Sequence, residues 1–325
     1  MDKRRLGTSD LEITPVVLGA WAIGGSMWGG QDDQDAIAAI HASIDAGINL
    51  IDTAPVYGMG RSEELVGRAL RGKGDVLVAT KCGLIWDSTE GTRKFEMVDV
   101  DGRSRPIHHD LRPAAVRSGC EDSLRRLGRD CIDLYQIHWP DPAVPTEDSF
   151  GELLKLRDEG KIRWIGVSNF SAEELRVARQ VAGIVSDQPQ YNLLDRSIEA
   201  DVLPLCRREQ VGIIAYSPMA RGLLSGKFGA SHQFAPNDHR GGVRWFGPQT
   251  LPKVQAALEK ARPMAASHGL SLANLAVAWV ASTPGVTAAI VGARTAAQAT
   301  ENARAAAVKL SEADRNTLAG WFAGI

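Results

Sequence analysis

Short apolar runs recur along the chain, each followed by a longer stretch in which apolar residues return every three or four positions. A short run that is apolar at successive positions fits a strand buried on both faces, and the three-to-four repeat fits an amphipathic helix. The runs fall at 16–20, 49–54, 76–81, 132–138, 164–168, 184–188, 212–217 and 288–292. Helices are expected at 33–46, 62–71, 112–127, 146–159, 171–181 and 198–209, then at 252–268, 271–282, 295–306 and 311–322. Ser171 with Glu174, and Thr295 with Gln298, have the spacing of a capping box at a helix start.

Strand–helix units in this number favour a closed barrel, since a parallel sheet of the same count left open would be unusually large. The expected fold class is therefore α/β, a (β/α)8 TIM barrel formed by residues 1–325 as a single domain. Alternation around Thr8, Ser9 and Asp10 predicts an N-terminal β-hairpin that plugs the barrel bottom. The connections 82–111 and 218–251 exceed what a link needs. Loops of that length are usually functional, and both fall on the C-terminal face, where barrels carry their sites.

Composition narrows the function classes. The 325 residues carry 37 basic and 39 acidic side chains, a net charge of −2, with no polybasic run. Nucleic acid and anionic membrane are poor partners for such a surface. Cys82, Cys120, Cys131 and Cys206 are scattered, without a CxxC pair, which fits a reducing, cytoplasmic location. The N-terminus lacks the apolar stretch of a signal peptide, and no segment approaches the about 18 apolar residues of a membrane span.

The candidate chemistry lies at the strand ends. Asp52, Lys81, His138, Ser168, Asn169, Gln188, Tyr216 and Ser217 close their strands, with Tyr57 and Gln190 just beyond. Paired carboxylates for glycoside hydrolysis and a His/Asp/Glu set for zinc are not available there. One acid, one amine, one phenol and one imidazole are. A free phenol titrates near ~10, too high for acid–base work at neutral pH, and an adjacent ammonium lowers that value. Asp52 would keep Lys81 charged, Lys81 would tune Tyr57, and His138 would orient a carbonyl or relay a proton.

The segment DTAPVYGMGRSEELVGRAL, from Asp52 to Leu70, resembles the signature of the aldo-keto reductases. The order Asp52, Tyr57, Lys81 in VLVATK and His138 in LYQIHWPD is similar to that family's catalytic tetrad. KIRWIGVSNF, QPQYNLLDR, IIAYSPMARGLLSGKF and AAIVGARTAAQATEN extend the likeness over nearly the whole chain. It looks nearest to the bacterial branch of general-stress and inositol-locus reductases. The resemblance implies Tyr57 as general acid, tuned by Lys81 and Asp52. It implies Ser168, Asn169 and Gln190 around a nicotinamide carboxamide and Tyr216 stacked on the ring. It also implies a cytoplasmic monomer acting on a small carbonyl substrate.

The cofactor implied is NADPH, with NADH tolerated more weakly. No Rossmann fingerprint is present: Gly58-Met59-Gly60 begins like one, but Glu63 replaces the third glycine. Ser217, Pro218, Arg221, Gly222 and Lys227 form a glycine-containing cationic loop suited to pyrophosphate. Gly292, Arg294, Gln298 and Asn302 match the family's adenosine-binding positions at a helix start, with Arg294 as the expected 2′-phosphate partner. Where the mammalian members have a lysine and a second arginine, this chain has Gly292 and Gln298.

Trp21, Trp86 and Trp139 are expected to wall a narrow substrate pocket, with Met27 and Trp28 as further candidates. Narrow aromatic walls suit small aldehydes such as glyceraldehyde, with some ketones and polyol oxidation secondary. Two other functions fit parts of the pattern. One is a cofactor-sensing protein similar to the potassium-channel β subunits. The other is a barrel lyase with Lys81 as Schiff-base amine.

Overall fold

The computed structural model describes residues 1–229, 232–235 and 238–325. Eight parallel strands close into a barrel in sequence order. They are β1 Val16–Gly19, β2 Leu50–Asp52, β3 Leu77–Cys82, β4 Ile132–Ile137, β5 Ile162–Ser168, β6 Ile184–Gln188, β7 Gly212–Tyr216 and β8 Val286–Gly292. Around them pack α1 Asp33–Asp45, α2 Arg61–Ala69, α3 Pro113–Leu127, α4 Thr146–Asp158, α5 Ala172–Val181 and α6 Val202–Arg208. The later helices are α7 Leu251–Ser267, α8 Leu272–Ala281, α9 Ala296–Ala303 and α10 Glu312–Trp321. The fold is a (β/α)8 TIM barrel, as the apolar pattern predicts. Among the described residues no single helix is long and apolar enough to cross a membrane.

Period-2 alternation in the strands explains both the core and the site. One layer inside the barrel is apolar: Val17, Leu50, Ala79, Leu134, Val185, Ile214 and Ala288 are all buried and pack together. The N-terminal hairpin, Arg4–Arg5 paired with Glu12–Ile13, closes this layer from below with Leu6, Leu11 and Ile13. Two residues further along four of these strands, the same inward face carries Asp52, Lys81, Gln136 and Tyr216. A polar layer thus sits directly on an apolar one, which places charged groups in a dry setting.

Two expected helices differ in outline. The stretch 198–209 splits into a short 3-10 turn, Ser197–Glu199, and α6. Asp201 breaks the run because its carboxylate accepts from the Val202 amide at 2.6 Å, capping a new helix start. The stretch 295–306 is α9 followed by the 3-10 turn Arg304–Ala307. The Ser171–Glu174 capping box forms in full. At Thr295 only half of the box forms, because Gln298 Oε1 accepts from the Arg294 amide at 2.8 Å instead.

The connection after β3 is an antiparallel sheet of Leu84–Ile85, Thr92–Val98 and Ser104–His109 standing over the barrel mouth. The connection after β7 contains 3-10 turns at Ala220–Ser225, His239–Gly242 and Arg244–Phe246, and part of it lies outside the described residues. Asp238 forms a bridge with Trp28, and His239 Nδ1 lies 2.8 Å from the Met27 carbonyl. The loops after β1 and β7 therefore meet across the mouth.

Candidate active site

At the floor of the mouth, Lys81 is fully buried and its ammonium has three partners. It donates to Asp52 Oδ1 at 2.6 Å, to the Thr53 carbonyl at 2.9 Å and toward the Tyr57 hydroxyl at 3.4 Å. The second Asp52 oxygen accepts from Gln188 Nε2 at 2.7 Å and Gln136 Nε2 at 3.3 Å. Every polar group of this layer is thus paired, as a charge in an apolar barrel requires. Lys81 is fully buried and does not itself line the cavity above it, which argues against the lyase reading.

Tyr57 reaches this layer from a turn, not a strand. Gly58 and Gly60 both take positive φ, 70° and 92°, and lead straight into α2. The glycines that mimic a dinucleotide fingerprint are there to make this turn. Glu63, buried in α2, then anchors the turn to the barrel: one oxygen accepts from Thr80 Oγ1 and the other from Arg126 Nε, both at 2.6 Å. Ser62 Oγ, in the same helix, donates to the Ala20 carbonyl at 2.8 Å. Tyr57 and Lys81 are therefore held by one network spanning β1, α2, β3 and α3.

The electrostatics correct one expectation. Burial, with the negative charge of Asp52 adding to it, pushes the Tyr57 phenol well above its ordinary value. The net shift is upward even with the Lys81 ammonium beside the hydroxyl. The phenol is held protonated, a proton donor with a nearby cation. Lys81 itself is moved downward by burial, with Asp52 opposing. Burial, and secondarily Lys81, pushes His138 well below its ordinary value, so its imidazole is neutral. The His138 ring stands edge-on to Tyr57, centroids 5.8 Å apart. A neutral imidazole there keeps one N–H, which can donate to an oxygen and orient it.

Asp52, Tyr57 and His138 border one cavity of about 570 Å³. Trp21 and Trp139 wall it as expected, together with Trp28. Trp86 does not: its ring faces Arg126, 5.9 Å from the guanidinium carbon. It packs instead against the small apolar cluster of Ala54, Val56, Leu84, Met97 and Ile107. Lys94, Phe95 and Met97 of that sheet and Arg240 of the β7 loop also line the cavity, and no motif or periodicity marks them.

On the opposite wall Asn169, at φ 62°, bridges three elements. Its amide donates to the His138 carbonyl at 3.0 Å and to Ser168 Oγ at 2.9 Å, and its carbonyl accepts from the Tyr216 hydroxyl at 2.8 Å. Gln190 is not part of this set. Its amide donates to Asp195 at 2.7 Å and it does not border the cavity, whereas Gln188 does. The chain bends past β6 at Pro189, so alternation no longer predicts which glutamine faces inward.

Ser217, Pro218, Arg221, Gly222 and Lys227 all border the cavity. Ser217 and Arg221 take positive φ, 55° and 59°, a strained backbone of the kind found around ligand sites. Arg221 is the telling member. Its Nε is buried without a hydrogen-bond partner among the described residues, and its guanidinium lies over Trp21 at 5.9 Å. A cation left unpaired in a half-buried position fits an anionic ligand group such as a pyrophosphate.

Gly292, Arg294, Gln298 and Asn302 come together at the far end of the cavity. Asn302 donates to the Gly292 carbonyl at 3.0 Å. The Arg294 guanidinium reaches across to the β1 loop, donating to Gln31 Oε1 at 2.8 Å, to the Trp28 carbonyl at 3.1 Å and to the Gly30 carbonyl. All are neutral acceptors, so its positive charge stays uncompensated. Glu301 also faces the cavity here, beside the expected residues.

Comparison with known proteins agrees with this geometry. Residues 15–320 match the model of the "Aldo/keto reductase family". The chain is 39% identical over 298 residues to the aldo-keto reductase YhdN of Bacillus subtilis, covering 90% of this chain and 85% of that protein. It is 37% identical to the NADH-specific methylglyoxal reductase of Escherichia coli, covering 97% and 96%. The glycerol dehydrogenase of Gluconobacter oxydans has a similar structure, with TM-score 0.89, 41% identity, and coverage of 99% of this chain and 95% of that one. Aldo-keto reductases use a nicotinamide cofactor and act on small carbonyl compounds. This chain is an oxidoreductase and belongs to the aldo/keto reductase family.

Proposed function

We propose that the protein reduces small aldehydes, glyceraldehyde among them, and some ketones to alcohols, using NADPH in preference to NADH. The observation that carries this reading is the contact of the protonated Tyr57 hydroxyl with the Lys81 ammonium, 3.4 Å apart, at the floor of the cavity. A nicotinamide cofactor, when bound, would supply the hydride that reduces the carbonyl carbon. Tyr57 gives its proton to the carbonyl oxygen, so C=O becomes CH–OH. Lys81 stabilises the phenolate left behind, and Asp52 keeps Lys81 charged and in place. His138, neutral, donates a hydrogen bond that fixes the carbonyl oxygen near Tyr57.

Asn169, Ser168 and Tyr216 would hold the nicotinamide end, Arg221 and Lys227 the pyrophosphate. Gly292, Gln298 and Asn302 would hold the adenosine, and Arg294 the 2′-phosphate. The uncompensated charge of Arg294 supports NADPH. Its neutral partners, which NADH would leave in place, support a residual use of NADH. Residues 1–325 are read as one domain, which the family match over residues 15–320 supports, acting as a cytoplasmic monomer of the bacterial general-stress and inositol-locus branch.

Steady-state oxidation of NADPH and NADH, side by side with glyceraldehyde, tests the reading. Turnover with NADPH preferred is expected. Absence of oxidation of either cofactor, with quenched cofactor fluorescence showing that it binds, would overturn it.

A further inference from the structure

The cavity carries a charge that the reductase chemistry does not use. Lys94, Arg221, Lys227, Arg240 and Arg294 border it, against only Asp52 and Glu301. Asp52 is spent on Lys81. The chain as a whole does not share this bias, since its net charge is −2. Arg221, Lys227 and Arg294 stand on the side assigned to the cofactor. Arg240 is paired with Asp238 at 2.6 Å. Lys94 is left, on the opposite side, with no ion pair to any described residue.

Its position is built, not incidental. In a regular strand Lys94 and Phe95 would face opposite ways, yet both border the cavity. A register shift between Arg93 and Phe95 turns them to the same side, as bulges beside sites commonly do. The ammonium lies 5.0 Å from the centroid of the Trp139 ring. The backbone of Trp139 is in turn fixed by His109 Nε2, 3.0 Å from its carbonyl. Neither acidic neighbour forms an ion pair with it: Glu96 binds Arg93 and Ser104, and Asp141, near enough for its charge to act on the ammonium, accepts from the Ala143 amide at 3.0 Å. Trp139 directly follows His138 in the chain, and both border the cavity. The ammonium therefore lines the same cavity as the carbonyl position.

We propose that Lys94, seated on Trp139, binds an anionic group of the substrate and makes the enzyme prefer carbonyl compounds that carry a carboxylate or a phosphate a few bonds from the reacting carbon. This rests on the reductase reading above. A cation beside an aromatic face can take an anion while the apolar part of the substrate lies on the ring. Lys94 is exposed at the rim, so the effect is that of one partly solvated ion pair, about fivefold in kcat/KM.

The test uses two matched substrate pairs: 4-oxobutanoate with its methyl ester, and glyceraldehyde 3-phosphate with glyceraldehyde. Each is run with the wild-type enzyme, Lys94→Met and Lys94→Arg, with NADPH. The wild type is expected to favour the charged member of at least one pair. Lys94→Met should lose that preference through KM, leaving the neutral member unchanged, and Lys94→Arg should keep it. Response of one pair alone identifies the anion as carboxylate or phosphate. Turnover of the neutral members with no preference in either pair overturns the proposal. So does a preference that survives Lys94→Met, or an equal loss on charged and neutral substrates. Failure of the wild type to turn over any of the four counts against the reductase reading itself, and the proposal falls with it.

Discussion

The Cβ atom that Gly58 lacks would stand 2.3 Å from the carbonyl oxygen of Gly24. The reverse contact is equally tight, since a Cβ on Gly24 would meet the Tyr57 carbonyl oxygen at 2.7 Å. Two bare backbones thus press together directly beneath the phenol. Gly58 also takes φ 70°, which disfavours any other residue.

Gly58→Ala should therefore displace the Tyr57 turn. Strain of about 1–3 kcal/mol is expected, read as a lowered midpoint in denaturant. Activity should fall further than stability, because Tyr57 moves relative to Lys81. Unchanged kcat in a destabilised variant would show that the turn does not set the phenol's position.

Lys81→Met leaves Asp52 ionised and unpaired in a dry barrel. Removing one partner of such a pair costs about 3–5 kcal/mol. Adding Asp52→Asn should restore much of the stability while activity stays low. Thermal or denaturant unfolding of the single and double variants measures this, and equal stability of the two would mean the pair is not energetically coupled.

The pH profile follows from the directions of the shifts. Tyr57 lies well above 10.0, so it stays protonated through neutral pH and loses its proton only under strongly alkaline conditions. His138 lies well below 6.5, so it stays neutral until the solution is distinctly acidic. Reduction needs the protonated phenol and the neutral imidazole, and both hold across the interval between those limits. The reductive kcat/KM should be flat from about pH 7 to 9, and a step near an ordinary histidine pKa of about 6.5 would contradict the assignment.

Arg294→Ala should raise the dissociation constant of NADPH at least about tenfold and that of NADH much less, as loss of a charged hydrogen bond predicts. Gln31→Leu is the companion variant. It removes one neutral partner of Arg294 but leaves the charge, so the preference for NADPH should persist. Equal weakening of both cofactors by Arg294→Ala would mean that the residue holds the β1 loop and does not read the phosphate.

The barrel strands were legible because strands buried on both faces write continuous apolar runs, and the strands observed lie on the runs at 16–20 through 288–292. Asp52, Lys81 and His138 were legible because a polar residue that ends such a run must face the mouth. The inserted sheet was not. Its long strand Thr92–Val98 is exposed except at Met97, so it has no core pattern to betray it. Lys94 faces the cavity only because of a register shift, which leaves no mark in the sequence. Gln190 and Trp86 were misplaced where the chain leaves regular strand geometry. The positive φ at Asn169, Ser217 and Arg221 is likewise silent, because none is glycine.

Replacing Tyr57 by phenylalanine tests the account most directly, because it removes the proton donor and keeps the ring that packs on Trp21, 6.0 Å between centroids. The measurement is single-turnover oxidation of bound NADPH by glyceraldehyde, with cofactor affinity followed by fluorescence. The account predicts a hydride step slowed by about 10²–10⁴-fold with NADPH binding unchanged. A variant that reduces glyceraldehyde at near the wild-type rate would contradict it.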